Sequence, residues 1–167
     1  MHASEQQTND FIEVIRAYDR LIHKVCHLYL NNEEGHQDLY QEIILQIWTA
    51  FPKFKNEAKI STWLYRIALN TAISYNRKNK KSIQPLPLDT SFIQLADSNH
   101  DNHDYQLMWQ LISKLPHLEK ALVLLYLEDN SYEEIAAIMG ISITNVGTKL
   151  GRIKEKLKKQ AQVLHNQ

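Results

Sequence analysis

The sequence predicts an all-α protein: two small helical domains joined by a flexible linker, the C-terminal one containing a helix-turn-helix. Three observations carry that prediction. Apolar residues recur at alternating steps of three and four along most of the chain, the spacing of one helical face, and no strand alternation or internal repeat interrupts them. Residues 82–104 lose the periodicity and collect Pro85 and Pro87 among Asp, Ser and Asn, which reads as a linker too long for a tight turn. Downstream of it, a cap, a glycine and a second cap stand in the order that a helix-turn-helix needs. The expected division is therefore 1–81, a linker at 82–104, and 105–167.

The first helix is expected to run about five turns, with Phe11, Ile15, Tyr18, Ile22, Val25 and Tyr29 on one face and Asn9 or Asp10 as its cap. Asn31 to His36 contains Gly35 and reads as a loop, after which Asp38 opens a helix carrying Leu39, Ile43, Ile44, Ile47, Trp48 and Phe51 until Pro52 stops it. A short charged stretch, 53–60, leads to a third helix from about Ser61 to Lys78. Ile60, Leu64, Ile67, Thr71 and Tyr75 are expected inward, and Trp63, Arg66, Asn70, Ile73, Arg77 and Lys80 outward. In the second half, a helix from near Asp104 to Leu115 turns Met108, Leu111, Ile112 and Leu115 inward. Pro116 suits the first turn of the next, which buries Leu118, Leu122 and Leu125.

Composition narrows the function. With 167 residues and 44% hydrophobic content the chain is long enough for two small cores. It holds no apolar run long enough to span a bilayer, and its polar N-terminus is unlike a signal peptide, so a cytoplasmic protein that is not membrane-inserted is expected. A single cysteine, Cys26, excludes an internal disulfide. The net charge of zero first argues against a nucleic-acid partner. Its distribution reverses that argument: residues 61–81 carry five basic and no acidic side chains, 141–167 carry six basic and one acidic, and 82–104 carry four acidic and no basic.

The sharpest motif is Ser131 to Ile153. Ser131 with Glu134 three residues on forms a capping box; Ile135, Ala136 and Met139 face inward; Gly140 supplies the turn; and Ser142 caps the next helix. Val146, Leu150, Ile153 and Leu157 would seat that helix. Thr144, Asn145, Thr148, Lys149 and Arg152 would then face DNA, with Lys154, Lys156, Lys158 and Lys159 beyond them for phosphates.

A family resemblance rests on these residues. Leu115-Pro116, Leu125-Tyr126, Ser131 to Ala136 and Met139 to Ser142 resemble the C-terminal promoter-binding domain of extracytoplasmic-function sigma factors of bacterial RNA polymerase. Response-regulator output domains share a helix-turn-helix, so the N-terminal half has to separate the two. There Asp38, Leu39, Gln41, Glu42, Leu45 and Trp48 are similar to the sigma helix that docks on the clamp helices of the largest polymerase subunit. Phe54, Lys55, Asn56 and Glu57, leading into Thr62 to Ala68 and Asn70, resemble the segment that recognises and melts the minus-ten element.

What the resemblance implies is a factor that binds core RNA polymerase, at the clamp helices and the flap region, and promoter DNA, both duplex and melted single strand. Trp63, Asn70 and the 53–60 loop would hold an expelled base, with Lys55, Lys59, Arg66, Arg77 and Lys78 as backbone cations. Ser142, Thr144, Asn145, Thr148, Lys149, Arg152 and Lys154 would read or grip the minus-thirty-five element. An anti-sigma factor is a further implied partner. Gly147 and Gly151 depart from the family's commoner polar side chains, which leaves base contacts there open; Ala58 and Lys59 replace small hydroxyl residues.

Other chemistries find little footing. His23 and His27 have the i, i+4 spacing of a metal pair, but no second cysteine or acidic cluster completes a set; no metal and no cofactor are expected. No phosphate loop, nucleophile elbow or paired carboxylates stand out, so no enzyme is expected. The main competitor is a stand-alone regulator binding operator duplex, which would give the N-terminal half no task. A protein that titrates other regulators is argued against by the basic cluster from Arg77 to Lys81.

Overall fold

The computed structural model describes residues 4–30, 32–79 and 102–167, and every described element is helical. The chain divides into two compact units, Met1–Leu86 and Pro87–Gln167. Most of the segment expected to be the linker, together with Lys80 and Lys81, lies outside the described residues.

In the first unit the expected five-turn helix is two helices. α1 (Glu5–Ala17) starts earlier than expected, where the Ser4 hydroxyl accepts the Gln7 N–H at 3.2 Å. It stops at Tyr18, whose φ of −113° leaves the helical well, and α2 (Asp19–Tyr29) follows at once. Apolar spacing could not reveal this break, because the stripe from Phe11 to Tyr29 keeps its period straight through it. The two pieces differ in burial: α1 has no buried residue, whereas Ile22, Val25 and Cys26 of α2 are fully enclosed. Burial also pushes the Cys26 thiol up to about 12, which makes it inert.

α3 (Glu33–Ala50) begins five residues before the expected start at Asp38. The supposed loop is its cap and first turn: Asn32 Oδ1 accepts the Gly35 N–H at 2.6 Å. Gly35 signals this cap rather than a loop, since a Cβ there would lie 2.5 Å from the Asn32 oxygen. A 3-10 turn, Phe51–Lys53, with Pro52 inside it, ends the helix. α4 (Ile60–Lys78) has no side-chain cap and is held by packing.

Its buried face is Leu64, Tyr65, Ala68, Leu69, Ala72, Ile73 and Asn76, one position away from the predicted stripe. Ile67, Thr71 and Tyr75 are only half-buried, and Ile73, expected outside, is inside. The small residues Ala68 and Ala72 let α4 approach α2 and α3. The buried Asn76 amide then donates to the Tyr29 carbonyl at 3.2 Å, a polar group paid for by its hydrogen bond.

In the second unit α5 (Asn102–Ser113) and α6 (His117–Leu127) pack with α7 (Tyr132–Met139) and α8 (Ile143–His165). Pro116 is the residue before α6 rather than within its first turn, and Leu118 is 54% exposed, not buried. Its place is taken by Ala121, Leu122, Val123, Leu124 and Leu125, a run of side chains buried on more than one side. Ile135, Ile138, Val146, Leu150 and Ile153 complete this core.

Candidate functional site

On α3, the buried edge is Leu39, Ile43 and Ile47, all at 0% exposure. Leu39, expected on the docking surface, has no accessible surface here and packs into the core that holds the helix in place. Asp38, Gln41 and Leu45 are exposed on another side of the helix, and Glu42 is half-buried there, accepting from Gln46 Nε2 at 3.0 Å. Trp48 is half-covered by α1, its ring meeting the Phe11 edge at 4.8 Å. The available face is thus Asp38, Gln41, Glu42 and Leu45, an apolar residue among acids and amides. Its negative field reaches α4: burial raises the Tyr75 phenol above its usual value, and Asp38, Glu34 and Glu42 raise it further. Such a face suits a basic partner helix.

A run of aromatic contacts leads from that face to the segment before α4. Phe11 meets Phe51 at 5.6 Å between ring centres, Phe51 meets Trp63 at 6.4 Å, and Phe54 lies on Trp63 at 4.7 Å. Trp63, expected on the outward face of its helix, is half-buried with Phe54 against it. Asn56 takes φ 56°, a left-handed conformation that asparagine tolerates better than most residues. It turns the 53–60 segment so that Lys55, Asn56 and Lys59 are all exposed. Arg66, Asn70, Arg77 and Lys78 are exposed along α4. Asn70 and Lys78 line a polar cleft of about 550 Å³ with Glu42 and Gln46 of α3, so the structure joins the edges of two sets that the sequence treated separately.

The helix-turn-helix has the local geometry expected of it. Ser131 Oγ accepts the Glu134 N–H at 3.1 Å while Glu134 Oε2 accepts the Ser131 N–H at 2.8 Å. Gly140 stands at φ 68°, and its N–H donates to the Ala136 carbonyl at 2.9 Å. The Ser142 hydroxyl accepts the Asn145 N–H at 3.1 Å, so its expected part in DNA contact is shared with capping. Burial of Val146, Leu150 and Ile153 leaves Thr144, Asn145, Thr148, Lys149 and Arg152 exposed.

Lys154 goes elsewhere: its ammonium stands 4.0 Å over the Tyr126 ring, and it borders a groove between α5 and α8 rather than the Arg152 face. That groove, lined by Leu107, Met108, Leu111, Leu157 and Ala161, was not read from the sequence; its only signal was an apolar α5 face wider than one neighbour can cover. Lys156, by contrast, shares a shallow cleft with Thr148 and Arg152, floored by Gly147 and Gly151. It also pairs with Glu119 at 3.5 Å. Tyr132 was missed as well: a Cβ at position 147 would lie 3.5 Å from its ring.

His23 and His27 are joined by His36, but no group of three or more His, Cys, Asp or Glu among the described residues could hold a metal ion.

Known proteins resemble both halves. Residues 14–82 match the family Sigma-70 region 2, and residues 105–157 match Sigma-70, region 4. The ECF RNA polymerase sigma-E factor of Escherichia coli is 31% identical over 143 residues, covering 76% of this chain and 74% of its own. The ECF RNA polymerase sigma factor SigW of Bacillus subtilis is 29% identical, covering 90% and 88%. In fold, the chain is similar to the sigma factor RpoE of Bartonella quintana, solved with the anti-sigma factor NepR. That match has a TM-score of 0.70 and 19% identity, covering 92% of this chain and 98% of the other. CnrH, solved with the cytosolic domain of CnrY, gives a TM-score of 0.68, also at 19% identity, covering 93% and 90%.

Proposed function

The chain belongs to the extracytoplasmic-function RNA polymerase sigma factors, and we propose that its two units divide the work of promoter selection between the α3–α4 surface and α8. As a sigma factor it directs promoter-specific transcription initiation. In this division residues 1–81 dock core polymerase and handle the minus-ten element, 82–104 link, and 105–167 bind the minus-thirty-five element. Asp38, Gln41, Glu42 and Leu45 meet the clamp helices of the largest subunit. Lys55, Asn56, Lys59, Arg66, Asn70, Arg77 and Lys78 hold melted DNA, with Phe54 positioning Trp63 at its edge. Thr144, Asn145, Thr148, Lys149 and Arg152 enter duplex DNA.

The α5–α8 groove, apolar with Lys154 and Lys158 beside it, is a fitting seat for the polymerase flap. An anti-sigma factor is proposed as a regulator, by analogy with the two complexes above. The cytoplasm is the compartment in which these partners reside. No described helix is long and apolar enough to cross a membrane. The nucleotide chemistry belongs to the polymerase.

The observation that carries this reading is the exposed acidic and apolar face of α3 backing onto the basic face of α4 within one unit. A stand-alone repressor would have no use for that face. Run-off transcription with cognate core enzyme tests it. Asp38→Arg is expected to lower core affinity at least tenfold, about 1.4 kcal/mol, with an unchanged helical circular dichroism spectrum. Full core affinity in that variant would remove the docking role of α3.

A further inference from the structure

The corner where α2 meets the first turn of α3 gathers five polar side chains that the docking and promoter surfaces do not use. Tyr40 donates its hydroxyl to Asp19 Oδ1 at 2.6 Å, and Asp19 Oδ2 lies 3.4 Å from His23 Nε2. The other nitrogen of that ring, His23 Nδ1, faces His36 Nε2 at 3.4 Å, with the two rings nearly parallel, 4° apart. His23 also stacks on Tyr40 at 4.6 Å, and the His27 ring lies 4.3 Å from that of His36. Three histidines from two helices thus share one corner, and the Asp19 carboxylate meets one of them, His23.

We propose that His23, His27 and His36 form a proton-sensitive clasp that fastens the first turn of α3 to α2 and loosens on acidification. A hydrogen bond between two imidazole nitrogens needs one donor and one acceptor, so at least one ring must be neutral. His36 Nε2 can serve as that acceptor only while its ring is neutral. A proton on His36 removes that acceptor and adds a positive charge beside the His23 and His27 rings, 5.2 and 4.3 Å away between centroids. Burial and the neighbouring His27 and His23 hold the His36 imidazole down to about 4, while a hydrogen bond to the His23 backbone pulls the other way.

The groups around His36 are few. His23 and His27 face it from α2. The acids of the same turn, Glu33 and Glu34, are exposed, and among the described residues no charge from α4 acts on it.

The sign follows from linkage. His36 has an ordinary value of 6.5 once the corner opens and about 4 when it is closed. The clasp is therefore at full strength above pH 6.5 and weakens as pH falls towards 4. Between pH 7.5 and 5.5 the closed-to-open ratio is expected to fall about tenfold. The consequence reaches function because Asp38 stands two residues beyond His36. In that respect the inference rests on the docking role proposed for α3, although the clasp itself does not.

Hydrogen exchange of the full chain, corrected for intrinsic exchange, tests the clasp at the amides of His36 to Tyr40. Their protection is expected to fall about tenfold from pH 7.5 to 5.5 in the wild type, and to become insensitive to pH in His36→Phe and in His36→Gln. Side-chain NMR titration of the wild type gives an independent readout, with His36 protonating well below its ordinary value. A His36 that titrates at its ordinary value, or a protection loss that persists unchanged in both variants, overturns the clasp. Core polymerase affinity measured at the same two pH values separates the two ideas: the expected exchange response without any loss of affinity would count against docking by α3 and leave the clasp standing.

Discussion

The two surfaces proposed to face DNA are built on opposite plans. In the second unit the exposed face of α8 is posed by contacts within a dozen residues: the Ser131 and Glu134 box, the left-handed Gly140 and the Ser142 cap. In the first unit the working surface is shared by α3, α4 and the segment between them, and no side-chain cap fixes the start of α4. Its pose depends on Leu39, Ile43 and Ile47 meeting α2 and α4, and on an Asn76 to Tyr29 hydrogen bond across 47 positions of sequence. A locally written site keeps its shape as long as a few backbone groups are satisfied. One built by packing can be dismantled from beneath, by residues that touch no ligand.

The largest effect should expose that difference. Ile43→Ala empties a fully enclosed site under the α3 face and is expected to cost about 2–5 kcal/mol of stability. Core affinity and minus-ten recognition should decline together, because both surfaces rest on the same packing. Urea unfolding followed with core binding and open-complex formation checks it. Loss of one activity with the other intact would show that α3 and α4 hold their poses separately.

Arg152→Ala should act on the other plan, through contact rather than pose. Promoter binding is expected to weaken by about 1–3 kcal/mol if Arg152 reads a base, with the fold and core affinity unchanged. Promoters differing at the upstream element decide it by gel shift. An equal loss on all of them would make Arg152 a phosphate contact, and α8 less a reader than a grip.

The same contrast explains what could be read from the sequence. Ser131, Glu134, Gly140 and Ser142 announce their roles because caps and left-handed turns demand particular residue types at fixed offsets. The class of the described α-helices was legible from apolar spacing for a similar reason, whereas the 3-10 turn at Phe51–Lys53 was not. The break at Tyr18 was not, since periodicity runs through it. Nor was the true inward face of α4: choosing between the rows through Ile67 and through Ile73 depends on which neighbours approach, and Ala68 and Ala72 decide that only in three dimensions. Leu39 sits in a docking motif yet lies in the core, and Lys154 belongs to a basic run yet stands over Tyr126. Motif membership gave neighbourhood in both cases, and burial gave direction.

Gly151 offers the smallest and most discriminating effect. A Cβ there would meet nothing within 4 Å, and its backbone is ordinary right-handed helix, so neither packing nor conformation within the chain calls for glycine. Gly151→Ala should therefore stabilise α8 by about 1 kcal/mol, seen as a higher melting temperature of the second unit. Gly147 is the control, because an added methyl there enters ordinary contact with the Tyr132 ring at 3.5 Å. If promoter affinity stays level while Gly151→Ala gains stability, the glycine is a tolerated weakness of a helix posed by its caps. Should affinity fall as stability rises, DNA approaches the α8 backbone more closely than a methyl group allows. The site would then owe its shape to a missing side chain as well as to the five polar ones around it.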